Sequence, residues 1–284
     1  MSKNNSTAVK KAGVNLRTKT IIIICVCTIF LLTIVVMGLF INESHYGVDF
    51  AQKNLPPSSK HLFGTDWLGR DMFFRSIKGM TTSIQIGLIA SLVSSVIAIV
   101  LGTLAATAGK RVDSLILWFV DLFQGKPHLV FLMFVSILVG KGVKGILIGV
   151  AITHWTGLTR IVRAEILSLK TNQYILQARK LGQSPWGIAT KHILPHILPH
   201  FFVGLLLLFP HAILHESSLT FLGFGIPPEQ PAIGVILSES MRSIILGMWW
   251  LAVFPGALLL SVVLLFDGIG NNLKKLIDPK TGQE

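Results

Sequence analysis

TIIIICVCTIFLLTIVVMGLFI, Thr20–Ile41, carries no charged side chain over 22 residues. As a helix rising 1.5 Å per residue it is about 33 Å long, which matches a hydrocarbon core of about 30 Å. A secretory signal has a shorter apolar region of roughly 7–15 residues, and the following INESHYG offers no small-x-small cleavage site. The stretch therefore predicts an uncleaved first membrane span, preceded by the basic, acid-free segment Met1–Lys19. Cys25 and Cys27 lie within it, two residues apart. On a helix they point to different sides and cannot bridge each other. Two cysteines are also too few for a disulfide scaffold or a zinc cluster.

The rest of the chain repeats this character. Of its 284 residues 51% are hydrophobic and only 13% charged, with a mean hydropathy of +0.68. Lipid is the solvent this composition suits, which argues against a soluble enzyme, a disordered chain or a collagen-like one. Further apolar segments run over Ser83–Ala108, Ser114–Val139, Gly145–Gly157, Phe201–Phe224 and Ile244–Phe266. Gly125-Lys126-Pro127 interrupts the third span, and Pro255-Gly256 lies inside the sixth. Neighbouring helices can re-satisfy the backbone at such positions.

Charge tests the topology. Lys and Arg outnumber Asp and Glu by 25 to 13. With the N-terminus inside and six spans, sixteen cations fall in inside segments, eight in outside segments, and Lys126 within a span. Cytoplasmic loops collect Lys and Arg, so this split predicts both termini inside, and it accounts for the basic balance without a nucleic-acid partner. The expected fold class is an all-α polytopic membrane protein with six transmembrane helices. Residues 1–19 form a cytoplasmic tail, 20–41 the first span, 42–80 an extracytoplasmic segment, 81–271 the core and 272–284 a second tail.

Residues 159–199 form a long inside loop within that core. Its sequence reads as TRIVRAEILSLK, then YILQARKLG, a turn at Gln183-Ser184-Pro185, and WGIATKHILP. That pattern predicts amphipathic helices around a glycine turn, a protruding hairpin. Basic residues alone would also suit a helix pair lying on anionic lipid.

Leu176-Gln177-Ala178-Arg179-Lys180-Leu181-Gly182, nine residues, then His192-Ile193-Leu194-Pro195 resembles the EAA loop of ABC importer permeases. Ala178, Gly182, Leu194 and Pro195 match that pattern, while Leu176, Gln177 and His192 depart from it. His61–Lys78 is similar to the HxLGTDxxGRDxxSR segment of dipeptide, oligopeptide and nickel permeases. Asp121 with Pro127, the stretch SLTFLGFGIPPEQPAIG at Ser218–Gly234 and the ending Trp249–Pro279 resemble further segments of the same family. By these ordered motifs the chain is identified as a member of that family, as its second (C-type) permease subunit.

The resemblance implies a type I, binding-protein-dependent importer fold in a bacterial or archaeal inner membrane. It implies four kinds of neighbour: a related permease subunit, two ATP-binding subunits, an extracytoplasmic substrate-binding protein and the lipid bilayer. Ala178, Gly182, Leu194 and Pro195 would couple to the ATPases. The chain has no G-x-x-x-x-G-K-[ST] loop to cradle ATP phosphates. It is therefore expected to be a transport subunit, not an enzyme. It should bind no cofactor of its own, with ATP and Mg on the partner subunits.

Ionisable groups inside spans are functional candidates by default. Here they are Asp121, Lys126, His128, His154, His211, His215, Glu216 and Asp267. Asp121 also suits a buried hydrogen-bond acceptor, and Asp267 an interfacial position. His211 and His215, one helical turn apart, present two imidazoles on one face and could share a metal in transit. His200 falls within about 20° of the same face at 3.6 residues per turn. His154-Trp155 and H-x-x-L-H resemble nickel-type members, so the expected cargo is nickel or a metal chelate; a di- or oligopeptide is the alternative. On a continuous helix Lys126 would lie about 20 Å from Asp113, deep in the bilayer. There it would repel a bare dication and accept an anionic chelate or a peptide carboxylate, or else pair with Asp121. Lys126, His154, His211, His215 and Glu216 are thus the expected pathway residues. A regulatory or structural membrane protein without transport and an intramembrane hydrolase are rival classes. The EAA-like hairpin, which needs a partner, speaks against the first, and the lack of G-x-S-x-G against the second.

Overall fold

A computed structural model describes residues 16–277, and no strand occurs among them beyond a single Thr65–Asp71 bridge. Helix α1, Leu16–Phe40, is the first predicted span shifted by a few residues. The basic segment before it, and the Pro279 and Lys280 ending, lie outside the described residues. Helix α2 runs Met72–Thr107, 36 residues, and begins well before Ser83. At about 54 Å it is longer than a hydrocarbon core, so part of it extends beyond the apolar layer.

The third predicted span is not one helix. α3, Lys110–Gln124, and α4, His128–Val139, meet at 97°. Pro127 has no N–H to donate and pushes Lys126 out of the helical region, so the ladder stops there. Gly125 closes the last turn by donating to the Asp121 carbonyl at 2.9 Å. Lys126 therefore stands exposed at a corner, not deep along a continuous helix.

α5, Val143–Thr153, and α6, Trp155–Lys170, join at His154 into one long segment. The first arm of the expected loop is thus the end of the fourth span itself. After α7, Gln173–Lys180, the chain turns at Gly182 and enters α8, Pro185–Ile188, and then α9, Leu194–Phe221. A π turn at Ala189–Ile193 connects α8 to α9. Its wider winding comes just before Pro195, whose ring and missing N–H conflict with an ordinary i−4 bond. α10, Ile233–Ile245, is separate from α11, Trp250–Ile277. The sixth span therefore starts at Trp250 and not at Ile244; Gly247, with φ of +83°, makes the turn between the two helices. Among the described residues five helical segments are long and apolar enough to cross a membrane, or six with the bent α3–α4 pair taken as one.

α2 is the axis of the bundle, and its buried face is built of small residues. Gly79, Ser83, Gly87, Ala90, Ser91, Ser94, Ala98, Gly102 and Ala105 are all buried. Small residues let helix backbones approach closely in a membrane, where lipid gives no hydrophobic drive for association. A Cβ on Gly102 would lie 2.9 Å from Val162 of α6, and one on Gly87 would lie 3.1 Å from Phe209 of α9. Of the buried hydroxyls, Ser91 donates to Gly87 at 2.7 Å and Ser94 reaches the Val150 carbonyl at 3.3 Å, whereas those of Ser76 and Ser95 have no partner. The outward faces of α1 and α4 carry Ile29, Phe40, Val130 and Leu138, all exposed, as helices beside lipid or another apolar subunit require.

The segment before α2 forms a cap of polar contacts. Asp71 accepts the backbone N–H groups of Phe73 and Phe74, capping α2, and also holds His61 at 2.7 Å. Asp66, Arg70, Arg75 and Glu239 make a network of ion pairs. Asp66, Asp71 and Arg75 are buried, so this is not the solvated cluster that GTDWLGRD suggests. α2 and α10 are bolted together here.

Candidate functional site

Three histidines converge inside the membrane-spanning bundle. His128 is the first residue of α4, directly after the corner at Pro127. His154 sits at the α5–α6 joint, and His215 lies two turns before the end of α9. Their ring centroids are 4.8 Å apart for His128–His154, 4.5 Å for His128–His215 and 5.1 Å for His154–His215. One ring nitrogen from each lies within 4.8 Å of the others.

The tautomer of His154 follows from its neighbours. Its Nδ1 lies 3.0 Å from the Val150 carbonyl, which can only accept, so Nδ1 carries the proton. The Thr153 hydroxyl, itself donating to Gly149 at 2.9 Å, is 3.0 Å from the same nitrogen. Nε2 is then left with a free lone pair. It is buried with no hydrogen-bond partner, and so is Nε2 of His128. A buried polar atom without a partner costs about 1–3 kcal/mol.

The group of three that forms is not built on the expected His211–His215 pair. His215 meets His128 and His154, while His211, one turn away on α9, is exposed and not among the three. His200 does not extend the stripe either; it stacks on His196 at 5.5 Å. Spacing along one helix could not show that a ring from α4 comes to lie beside His215. The one signal in the sequence was that His128 directly follows a proline break.

Two other expected pathway residues stand differently from expectation. Glu216 is fully buried and accepts from Ser217 at 3.1 Å and Thr220 at 3.0 Å, facing the interior of the subunit. Lys126 does not pair with Asp121, which binds Arg160 of α6 instead. The Lys126 ammonium lies over the Phe131 ring, 4.7 Å from its centroid, and 5.9 Å from that of Phe123. Cation–π attraction holds it there.

The hairpin is built on backbone geometry. Gly182 has φ of +79°, and its N–H donates to Arg179 at 3.0 Å while Gln183 donates to Ala178 at 3.1 Å. This pair of bonds is the helix-ending motif that needs a left-handed residue after the last turn. Ala178 is buried under α7, whereas Leu181, Trp186, Leu194 and Pro195 are exposed. The hairpin thus presents an apolar rim beside Arg179, Lys180 and Lys191. At the end of α9 remote from the hairpin a cavity of about 390 Å³ opens beside Gly223, Pro227, Lys141 and Glu239.

Comparison with known proteins places this architecture. Residues 98–281 match the family described as "Binding-protein-dependent transport system inner membrane component". The chain is 33% identical over 253 residues to the dipeptide transport system permease protein DppC of Bacillus subtilis, covering 89% of this chain and 79% of that one. It is 32% identical over 258 residues to the oligopeptide transport system permease protein OppC of the same organism, covering 89% and 84%. Among solved structures it resembles a chain of the MetNI methionine ABC transporter in inward-facing conformations. The TM-score is 0.60 at 17% identity, with 73% of this chain and 98% of that one covered.

Proposed function

We propose that this chain, which belongs to the family of inner membrane components of binding-protein-dependent transport systems, is one permease half of an ABC importer for di- or oligopeptides. The observation that carries the peptide reading is the one-third identity, along nearly the whole chain, to permeases named for dipeptide and oligopeptide transport. As a transport subunit it holds a pathway and leaves ATP hydrolysis to partners. In this reading a related permease completes the pathway, one of two ATPases takes the α7 hairpin, and an extracytoplasmic protein delivers cargo. α6 and α9 run unbroken from the hairpin into the bundle, so movement of an attached ATPase would tilt them as rigid bodies. Alternating access by rigid-body rotation follows.

Nickel or another metal chelate is the second reading, and the imidazole cluster is what favours it. The two are separated by uptake into vesicles holding the assembled importer with its cognate binding protein and ATP. A mixed dipeptide pool, Ni²⁺ and a Ni²⁺–histidine chelate are offered in parallel. Peptide accumulation without metal accumulation supports the main reading; metal accumulation alone overturns it.

A further inference from the structure

We propose that His128, His154 and His215 form a binding site for a divalent transition-metal ion, held by three neutral imidazoles from three separate parts of the bundle. The proposal concerns binding to this chain and stands whichever cargo is carried.

Geometry comes first. A metal bound tetrahedrally at about 2.0–2.1 Å per nitrogen holds its donors about 3.3 Å apart. The three nitrogens already lie within 4.8 Å of one another, so small side-chain rotations close the site. The second observation is the state of the ring nitrogens. His154 donates from Nδ1 to the Val150 carbonyl, which fixes the ring and leaves Nε2 as a bare lone pair. A backbone carbonyl on the far nitrogen is how ligating histidines are oriented and made more basic. Nε2 of His154 and of His128 are both buried without a partner, so each lacks the contact a bound ion would supply.

The donor set selects the ion. Imidazole suits Zn²⁺, Cu²⁺, Ni²⁺ and Co²⁺, whereas Mg²⁺ and Ca²⁺ require oxygen ligands. Glu216, the neighbouring carboxylate on α9, is turned to Ser217 and Thr220 and is not a donor here. Three ligands leave at least one position open, as in sites that take water or a small chelator as the fourth partner. A bound ion would also tie the corner that starts α4 to the α5–α6 joint and to α9.

The test uses the full-length chain, without a histidine tag, in detergent or lipid nanodiscs, titrated with Co²⁺ and then challenged with Zn²⁺. One Co²⁺ per chain should bind with the intense visible absorption of a four-coordinate site, and Zn²⁺ should displace it. His128→Gln, His154→Gln and His215→Gln should each weaken binding by at least about 100-fold, the upper end of what even an outer-shell loss costs. His211→Gln and His196→Gln should leave it unchanged. His215→Cys keeps a ligand, so it should retain Co²⁺ and add a thiolate-to-cobalt charge-transfer band. That band decides the question even where a Gln variant fails to fold. Absence of Co²⁺ binding, binding that survives all three Gln substitutions, loss on His211→Gln, or a Cys variant without the band would each overturn the site.

Discussion

Arg75 and Glu239, 164 residues apart in the chain, meet at 2.6 Å between Nη1 and Oε2. Arg75 is almost completely buried near the start of α2, and Glu239 lies on α10. Arg70 reaches the same carboxylate at 2.8 Å, and Asp66 lies 3.5 Å from Arg75. Two helices, α2 and α10, are thereby held by buried and half-buried charges.

Removing Arg75 leaves Asp66 and Glu239 to share the single Arg70 guanidinium, one negative charge in excess, and a buried charge left without its partner costs up to about 3–5 kcal/mol. Arg75→Ala should therefore lower the thermal midpoint of the purified chain strongly. Arg75→Met combined with Glu239→Leu should recover much of the loss. An Arg75→Ala variant as stable as the parent would show that the network carries no weight.

Gly182 has open space around its Cβ position, so only its backbone demands glycine. A β-branched residue at φ of +79° is strained by about 1–3 kcal/mol. Gly182→Val should insert in the membrane yet lose transport and ATPase attachment, checked by fractionation and pull-down. Gly182→Asn, which tolerates the left-handed region better, should keep part of both.

Gly102 and Gly256 make a matched pair. A Cβ on Gly102 would meet Val162 and the Thr159 carbonyl at 2.9 Å, whereas one on Gly256 meets nothing closer than 3.8 Å. Gly102→Val should overpack the α2–α6 contact and destabilise by about 1–3 kcal/mol. Gly256→Ala should be close to neutral. Unfolding curves of the two variants side by side give the comparison.

Lys126 is an exposed cation at the α3–α4 corner, tethered to Phe131 by a cation–π contact. If cargo passes this corner, Lys126→Ala should reduce uptake of an acidic dipeptide more than that of a neutral one. Equal effects on both would remove Lys126 from the pathway.

The inside–outside charge asymmetry makes its own prediction. In a background with Cys25 and Cys27 replaced by Ser, single cysteines at Ser59 and Glu229 should react with an impermeant thiol reagent added from outside. A cysteine at Thr171 should react only after the membrane is opened. The reverse pattern would invert the chain.

Much of this protein was determined by sequence alone. Long uncharged runs can be solvated only by lipid, so the apolar segments, five long enough to cross or six with the bent α3–α4 pair taken as one, follow from composition summed over short windows. The hairpin was equally legible, because its turn rests on one glycine and its flanking helices on local pattern. Family motifs such as HLFGTDWLGRD and the Ala178–Pro195 spacing are likewise linear. The tertiary structure decided what depends on the relative rotation of distant helices. Whether His215 faces His211 or His128 is set by the 97° break at Pro127 and by how α5 and α9 pack around the small-residue face of α2. Periodicity within one helix carries no information about that phase. The same holds for Asp121, which finds Arg160 on another span rather than Lys126 nearby, and for Arg75 with Glu239. Charges in a bundle, buried like Arg75 or exposed like Asp121 and Arg160, take the partner that packing brings within reach, and sequence distance does not measure that reach.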